Sequence, residues 1–353
     1  MSRPPVPPVR YELRVEGHLD EHWSAWFDGM ALVHEDDGTT SLRGSVADQA
    51  ALHGHLARVR DLGATLISVK SSTVRISSLR STAVLSEPAA TGWPGRGRAE
   101  RRSSMPTTTP TTSVQLYSVR EAVADDLDGA VARLAEIGLK HVEPYAFHER
   151  TDDYLRAFAA TGVTAPSGHA PVLAAETPEA ILDATVALGM ATVIDPFLPA
   201  EGWQTADQVA RLAERVNGLA ELAAERGLEF GYHNHAWELG TRLGEQHALE
   251  VFVEHLAPDV VLEVDTYWAA VGGADVPALL AALGDRVRLI HVKDGTLDGD
   301  VDRQQPAGSG EVDVPAILAA APGATRVIEF DAYGGDVFEG IAQSLAWLSE
   351  HDR

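Results

Sequence analysis

Four segments in the C-terminal half of the chain each end an apolar run with side chains that can bind a metal: Gly231-Tyr232-His233-Asn234-His235, Glu263-Val264-Asp265-Thr266, Leu289-Ile290-His291-Val292-Lys293-Asp294 and Val327-Ile328-Glu329-Phe330-Asp331. Short runs of β-forming residues of this kind are typical of buried strands. Parallel strands that close into a barrel bring their C-terminal ends to one mouth. The four segments therefore predict a parallel barrel with a metal site at that mouth.

The pattern around these segments alternates between strand and helix from residue 113 to the end. Eight strands are predicted, at residues 114–118, 141–145, 164–169, 192–196, 229–235, 260–265, 287–293 and 326–331. Amphipathic helices are predicted between them, for example at 127–137, 178–188, 206–226 and 276–283. Eight such units match a (β/α)8 TIM barrel, which has about 250 residues. An open doubly wound sheet is the alternative, but no glycine-rich phosphate loop follows the first strand.

The N-terminal part of the chain has a different composition. Residues 9–72 contain short segments in which apolar and polar residues alternate as they do in strands, and one helical pattern at 47–62. Together these patterns predict a small α+β module. Residues 73–112 are rich in Ser, Thr, Arg, Pro and Gly, which predicts a disordered linker. The arginines at 96–102 fit a solvated linker better than a nucleic-acid arm. We also expect that the cellular enzyme begins at Met105.

Composition excludes several classes of function. The formal net charge of −24 argues against binding to nucleic acid. The absence of cysteine excludes disulfides, thiolate metal sites and a cysteine nucleophile. No apolar run is long enough to span a bilayer, and the first ten residues do not resemble a secretory signal. A cytoplasmic protein is expected, and a homo-oligomer is compatible with the sequence.

Candidate site residues stand where the predicted strands end. Asp265, His291 and Glu329 end three consecutive strands, so we predict them as metal ligands, with His233 as the fourth. Buried ionisable groups without partners are costly, and a divalent cation is their simplest common partner. Side chains two residues apart on a strand point the same way, so Lys293 shares a face with His291.

Other polar residues at the predicted mouth suit substrate binding or proton transfer. We predict Glu143, His169 and Lys293, together with Glu329, as acid–base or substrate-binding groups. His235 and Glu238 are predicted to orient the ligands or to contact substrate. The remaining residues predicted near the mouth are Asp195 and Trp268.

Residues 113–353 resemble the xylose isomerase-like barrel superfamily, also called the sugar phosphate isomerase/epimerase family. The segments that carry the resemblance are residues 142–144, 231–238, 264–268, 291–294, 308–313 and 328–329. The resemblance implies a metal held at the ends of strands five to eight. The family's Asp, His and Glu ligands fall on Asp265, His291 and Glu329. Many relatives carry a glutamate as the strand-five ligand, where this chain has His233.

This difference leaves two enzymatic functions open. The first is a metal-dependent isomerase or epimerase of a small carbohydrate, acting through an enediolate. The second is a lyase that shares the enolisation step and expels a β-substituent from a keto-sugar or keto-inositol. A mixed nitrogen and oxygen ligand set favours Mn²⁺ over Mg²⁺, Co²⁺ or Zn²⁺. DNA repair is disfavoured by the charge, and a non-enzymatic sugar-binding protein by the number of ionisable groups.

Overall fold

The computed structural model describes residues 9–16, 30–35, 39–46, 59, 66–71 and 111–352. The chain divides into two compact units, at residues 1–100 and 101–353. Across the residues just given, no helix has both the length and the apolarity needed to cross a bilayer.

The N-terminal unit contains a four-stranded antiparallel sheet in the order β2-β3-β1-β4. Its strands are β1 (Val9–Glu16), β2 (Ala31–His34), β3 (Thr39–Val46) and β4 (Leu66–Ser71). Leu13 and Val15 of β1 are fully buried, as the alternating pattern of this segment predicts. The helix predicted at 47–62 lies outside the described residues except for residue 59. The linker predicted at 73–112 lies outside them except for its last two residues.

The second unit is built on a curved parallel sheet of seven strands, in the order β5-β15-β12-β11-β8-β7-β6. Two short antiparallel hairpins, β9 with β10 and β13 with β14, extend from it. In chain order the strands are β5 (Thr112–Val114), β6 (Ser167–His169), β7 (Thr192–Asp195), β8 (Glu229–His233), β9 (Arg242–Leu243), β10 (Gln246–His247), β11 (Val261–Asp265), β12 (Val287–Val292), β13 (Asp294–Gly295), β14 (Gln304–Gln305) and β15 (Thr325–Ile328).

The segment at 141–145, predicted as the second strand, lies between β5 and β6. It makes isolated parallel bridges on both sides, joining Glu143 to Gln115 and Tyr145 to His169. These bridges complete a ring of eight segments and confirm the predicted TIM barrel. The segment forms no continuous ladder, because Pro144 has no N–H to donate.

Several strands are shorter than the sequence predicts. The first strand was predicted to reach residue 118, but it ends at Val114 and the chain turns into a 3-10 helix at Leu116–Val119. The side chain of Gln115 caps this turn by accepting a hydrogen bond from the N–H of Tyr117. The third strand begins at Ser167 rather than at residue 164, because Pro166 interrupts the pairing.

Eleven α-helices lie in the described part of the second unit. The predicted helices at 127–137 and 276–283 match the structure at both ends, and the capping residues explain the first of them. Asp126 accepts a hydrogen bond from the N–H of Gly129, and Gly138 ends that helix with a φ of 111°. The helices are α1 (Arg120–Asp125), α2 (Leu127–Ile137), α3 (Thr151–Thr161), α4 (Pro178–Ala187), α5 (Ala206–Ala224), α6 (Trp237–Gly240), α7 (Ala248–His255), α8 (Thr266–Val271), α9 (Val276–Leu283), α10 (Val314–Ala320) and α11 (Val337–His351).

The interior of the barrel has an apolar floor. Ile194, Val261, Leu289 and Val327 form a buried cluster separate from the larger core between strands and helices. A Cβ on Gly231 would lie 2.5 Å from Ile194 Cδ1 and 3.1 Å from the backbone oxygen of Val261, so a side chain here would force the floor to shift. For three of these floor residues, the residue two positions later in the chain is ionisable. Its side chain points to the same inner face of the barrel.

Candidate active site

A buried cluster of ionisable side chains lies directly above the apolar floor. None of its eight members is more than 7% exposed. They come from six of the eight barrel segments, so the closed sheet holds them at one mouth. The members are Glu143, His169, His233, Glu263, Asp265, His291, Lys293 and Glu329.

In the lower part of the cluster, three imidazole rings surround one carboxylate. Glu263 Oε2 is contacted by His169 Nε2, lies 3.3 Å from His233 Nδ1 and lies 3.2 Å from His291 Nε2. Ligand atoms of these four side chains all lie within 4.8 Å of one another. We refer to this set as the lower group, and it has the composition of a three-histidine, one-carboxylate metal site.

In the upper part, one ammonium group lies among three carboxylates. Lys293 Nζ is 2.9 Å from Asp265 Oδ2, 2.7 Å from Glu329 Oε2 and 2.8 Å from Asp331 Oδ2. Asp265, His291 and Glu329 also offer ligand atoms within 4.8 Å of one another, and we call these three the upper group. His291 belongs to both groups, since its Nδ1 lies 2.5 Å from Glu329 Oε2.

The charges in the upper part support one another. Burial alone would lower the pKa of Lys293, but Asp265, Asp331 and Glu329 outweigh it and raise that pKa well above its usual value. Burial would likewise raise the pKa of Glu329, yet the positive charges of Lys293 and His291 hold it well below its usual range. The side chains of Lys293 and Glu329 are therefore both ionised at neutral pH.

The histidines of the lower group differ in charge. Burial lowers the pKa of His233 well below its usual value, and the charge of His291 acts in the same direction. Burial also disfavours a charge on His169, but Glu263 and Glu143 outweigh it and raise the pKa of His169 to about 10. His233 is therefore neutral, the form in which imidazole binds a metal.

Glu143 is fully buried and fixed from several sides. Its Oε1 accepts a hydrogen bond from Gln115 Nε2 at 2.9 Å, and its Oε2 accepts one from Ser167. The same Oε1 lies 3.1 Å from His291 Nε2 and 3.2 Å from His169 Nε2. The sequence predicts Glu143 as an acid–base or substrate-binding group, and this position beside two histidines also suits a group that orients them.

The remaining predicted residues lie near the C-terminal ends of the strands. Glu238 is buried and accepts hydrogen bonds from the hydroxyl of Tyr232 and the N–H of His235, so it holds the end of β8. The ring of His235 stacks on Trp237, with centroids 4.2 Å apart. The backbone N–H of Trp268 donates a hydrogen bond to Asp265 Oδ1 at 2.8 Å.

Asp195 does not join the cluster. It accepts hydrogen bonds from the N–H groups of Leu173 and Phe197 and so fixes two loops beside β7.

Glu263 is the site residue that sequence reasoning did not select. It stands two positions before Asp265 on β11 and therefore shares its inward face. That spacing was available as a signal, but an inward position alone does not show that three histidines from other strands meet there.

Comparison with known proteins places most of the second unit in one family model. Residues 118–351 match the model described as xylose isomerase-like TIM barrel. Residues 10–70 match a domain of unknown function. The first match covers more than half of the chain.

Individual relatives are more distant. The chain is 32% identical over 103 residues to inosose dehydratase of Bacillus licheniformis, a match covering 29% of this chain and 31% of that protein. A sugar phosphate isomerase/epimerase from Parabacteroides distasonis superposes with a TM-score of 0.59 at 24% identity, covering 69% of this chain and 95% of that one. The IolI protein, solved with a bound zinc atom, gives 0.54 at 14% identity, covering 69% and 98% respectively.

Proposed function

The chain belongs to the xylose isomerase-like TIM barrel family, and from this premise we propose that it is a metal-dependent isomerase or epimerase of a polyhydroxy carbonyl compound. The observation that carries the proposal is the buried cluster, which joins imidazoles, carboxylates and one ammonium group at a single mouth. Enolisation of a sugar needs a base, a group that stabilises the oxyanion and a Lewis acid.

The donor set fits a divalent cation. His233 Nδ1 and Glu263 Oε1 are buried and have no hydrogen-bond partner in the part of the chain that the structure describes. Buried polar atoms without partners are rare in proteins, and a bound ion is one explanation for them. The residues available to hold the cation are His169, His233, Glu263, Asp265, His291 and Glu329.

When bound, the cation would polarise the carbonyl group of the substrate and acidify the adjacent C–H. Sequence reasoning favours Mn²⁺. The bound zinc of the IolI protein keeps Zn²⁺ as an alternative.

Glu329 is the best-placed base among the buried carboxylates. It is 6% exposed, whereas Glu143 and Asp265 are fully buried. Because Glu329 is ionised, it can take the proton from the α-carbon. His169, whose raised pKa keeps it protonated, would return a proton, and the ammonium of Lys293 would donate a hydrogen bond to the developing oxyanion.

A dehydratase is the second candidate, favoured by His233. Relatives that epimerise use a carboxylate on each face of the substrate, but this chain has an imidazole in the strand-five position. After Glu329 removes the α-proton, a protonated histidine can give its proton to a β-hydroxyl, which leaves as water. The partial similarity to an inosose dehydratase supports this alternative.

Incubation of the metal-loaded protein with a panel of keto-sugars and keto-inositols in D₂O tests both candidates. Deuterium at the α-carbon with an otherwise unchanged formula supports the isomerase, and loss of one water supports the dehydratase. Glu329→Gln should lower turnover by about 10²–10⁴-fold. The exposed Glu339→Gln, in the first turn of α11, is the matched control. Isomerised product without α-deuterium would contradict the isomerase, and turnover with neither α-deuterium exchange nor loss of water would contradict both candidates.

A further inference from the structure

We propose that the N-terminal unit is a dimerisation module, in which the outer edge of β4 pairs antiparallel with β4 of a second copy of this chain. Two four-stranded sheets then join into one sheet of eight strands, with a two-fold axis at Val69. Such a dimer involves the N-terminal unit alone and does not depend on the proposed catalytic function.

β4 is the last strand of its sheet. The sheet has the order β2-β3-β1-β4, and within the described residues β4 pairs with β1 alone. The N–H and C=O groups that point away from β1 are therefore available to another strand. An edge of this kind binds an added strand through main-chain hydrogen bonds, and the side chains beside it select the partner.

Exposed apolar side chains are concentrated on β4. In the part of the chain that the structure describes, six large hydrophobic side chains are exposed, and three of them stand on this one strand. They are Leu66, Ile67 and Val69, with exposed fractions of 39%, 50% and 40%. The other three lie on α3, on α4 and in the loop after β13. Single exposed apolar residues are normal on a protein surface, whereas a group of them marks an interaction site.

An apolar row crosses one face of the sheet and ends at β4. The residues paired directly across the four strands are Leu32, Leu42, Leu13 and Val69. Directly opposite residues of antiparallel strands share a face, so these four side chains lie side by side. Leu42 and Leu13 are fully buried, but Val69, at the edge, is 40% exposed. A strand added beside β4 would cover the end of the row.

A second copy of β4 is the strand that fits this edge. With the two-fold axis at Val69, the two Val69 side chains lie directly opposite each other, and the apolar row continues into the second sheet. Ser68 and Lys70 alternate with Val69 and lie on the other face, where Ser68 of each copy is opposite Lys70 of the other. Lys70 Nζ also lies 3.5 Å from Glu12 Oε1 on β1, which balances its charge within its own sheet.

The axis falls in the regular part of β4. Residues 68–71 pair regularly with β1, and the register shifts only beyond them, between Arg14 and Val15 of β1. The ladder between the two copies is therefore short. Small interfaces bind weakly, so we expect a dissociation constant in the micromolar range. Because the same strand is used by both copies, the contact closes on itself and gives a dimer rather than a filament.

Sedimentation equilibrium of the full-length protein, native and with Val69→Lys, tests this surface. We expect the native protein to dimerise and Val69→Lys to weaken dimerisation by more than about 100-fold, because two like charges would meet at the axis. Leu155→Lys, at an equally exposed leucine on α3, is the matched control and should stay within about threefold of the native constant. A native protein that stays monomeric up to about 1 mM would overturn the proposal, as would a Val69→Lys variant that dimerises like the native protein.

Cross-linking gives a second test, which does not require a lysine variant to fold. The chain contains no cysteine, so Val69→Cys and Leu66→Cys each introduce a single thiol. The two copies of residue 69 lie directly opposite each other at the axis, within the distance that a disulfide spans. The two copies of residue 66 would lie about 20 Å apart along the strands, which is too far. We expect Val69→Cys to form a covalent dimer at least about tenfold faster under mild oxidation, and equal rates would rule out the paired edge.

Discussion

Lys293 is the residue on which the upper part of the site depends. Its ammonium group neutralises part of the charge of Asp265, Glu329 and Asp331, at distances of 2.7 to 2.9 Å. Removing one partner of a buried ion pair leaves uncompensated charge and typically costs about 3–5 kcal/mol. The same ammonium is the oxyanion donor in the proposed mechanism, so stability and turnover depend on one side chain.

We therefore expect Lys293→Met to lower the free energy of unfolding by about 3–5 kcal/mol at pH 7 and to abolish turnover. The stability loss should shrink as pH falls, because the carboxylates left without Lys293 become protonated more easily. Urea denaturation at pH 7 and pH 5 measures both effects. Lys140→Met, at an exposed lysine, is the control. A loss below ~1 kcal/mol, the range of surface ion pairs, would contradict the buried role.

At the scale of single residues, the sequence predicted most members of the buried cluster but not which of them contact one another. Asp265, His291 and Glu329 lie together, as their strand-end positions predict. His233 lies between the two groups, with its Nδ1 3.3 Å from Glu263 Oε2 and its Nε2 3.9 Å from Asp265 Oδ2. Its role as a ligand stays a prediction, since strand position places a residue at the mouth but does not determine which neighbour its ring faces.

At the scale of elements, the close approach of β7, β8 and β11 depends on Gly231. A Cβ at this position would lie 2.5 Å from Ile194 and 2.9 Å from Val261 Cγ2. We expect Gly231→Ala to destabilise the protein by about 1–3 kcal/mol, because overpacking forces the floor of the barrel to shift. Thermal denaturation of the variant checks this.

Gly218→Ala provides a control of opposite sign. Gly218 lies inside α5, and a Cβ there would meet nothing within 4 Å. Replacing a helical glycine by alanine should stabilise the protein by about 0.5–1 kcal/mol. If both variants shifted stability in the same direction, the packing argument for Gly231 would be wrong.

Asp195, at the C-terminal end of β7, makes a contribution to stability that depends on pH. Burial raises the pKa of Asp195 to about 6, although hydrogen bonds from the N–H groups of Leu173 and Phe197 act against the rise. In the unfolded chain the group titrates near pH ~3.9. Between these values the folded state holds the extra proton, so this residue's contribution to stability decreases as pH rises and is constant above the folded pKa.

Asp195→Asn should remove this dependence. We expect the stability of the variant relative to the native protein to increase as pH rises from about 4 to about 6 and then to level off. Urea denaturation midpoints of both proteins at pH 4, 5, 6 and 7 give the comparison. A difference that does not vary with pH would show that folding does not shift the pKa of Asp195.

At the scale of the whole molecule, the candidate site lies within one of the two units. Every member of the buried cluster belongs to residues 101–353, which form a compact unit. We expect a chain that starts at Met105 to bind the same cation and to keep the kcat of the full-length protein. Metal analysis and initial rates on both chains test this. Loss of either property in the shorter chain would assign the N-terminal unit a part in the site.

The amino-acid sequence by itself determined the barrel and the residues at its mouth. Strand and helix periodicities are local properties, as are proline and glycine positions, so the alternation along residues 113–353 is enough to predict eight βα units. Only the tertiary structure decided which side chains meet. Distances across the barrel depend on strand tilt and stagger, which bring Glu263 to three histidines and Lys293 to three carboxylates.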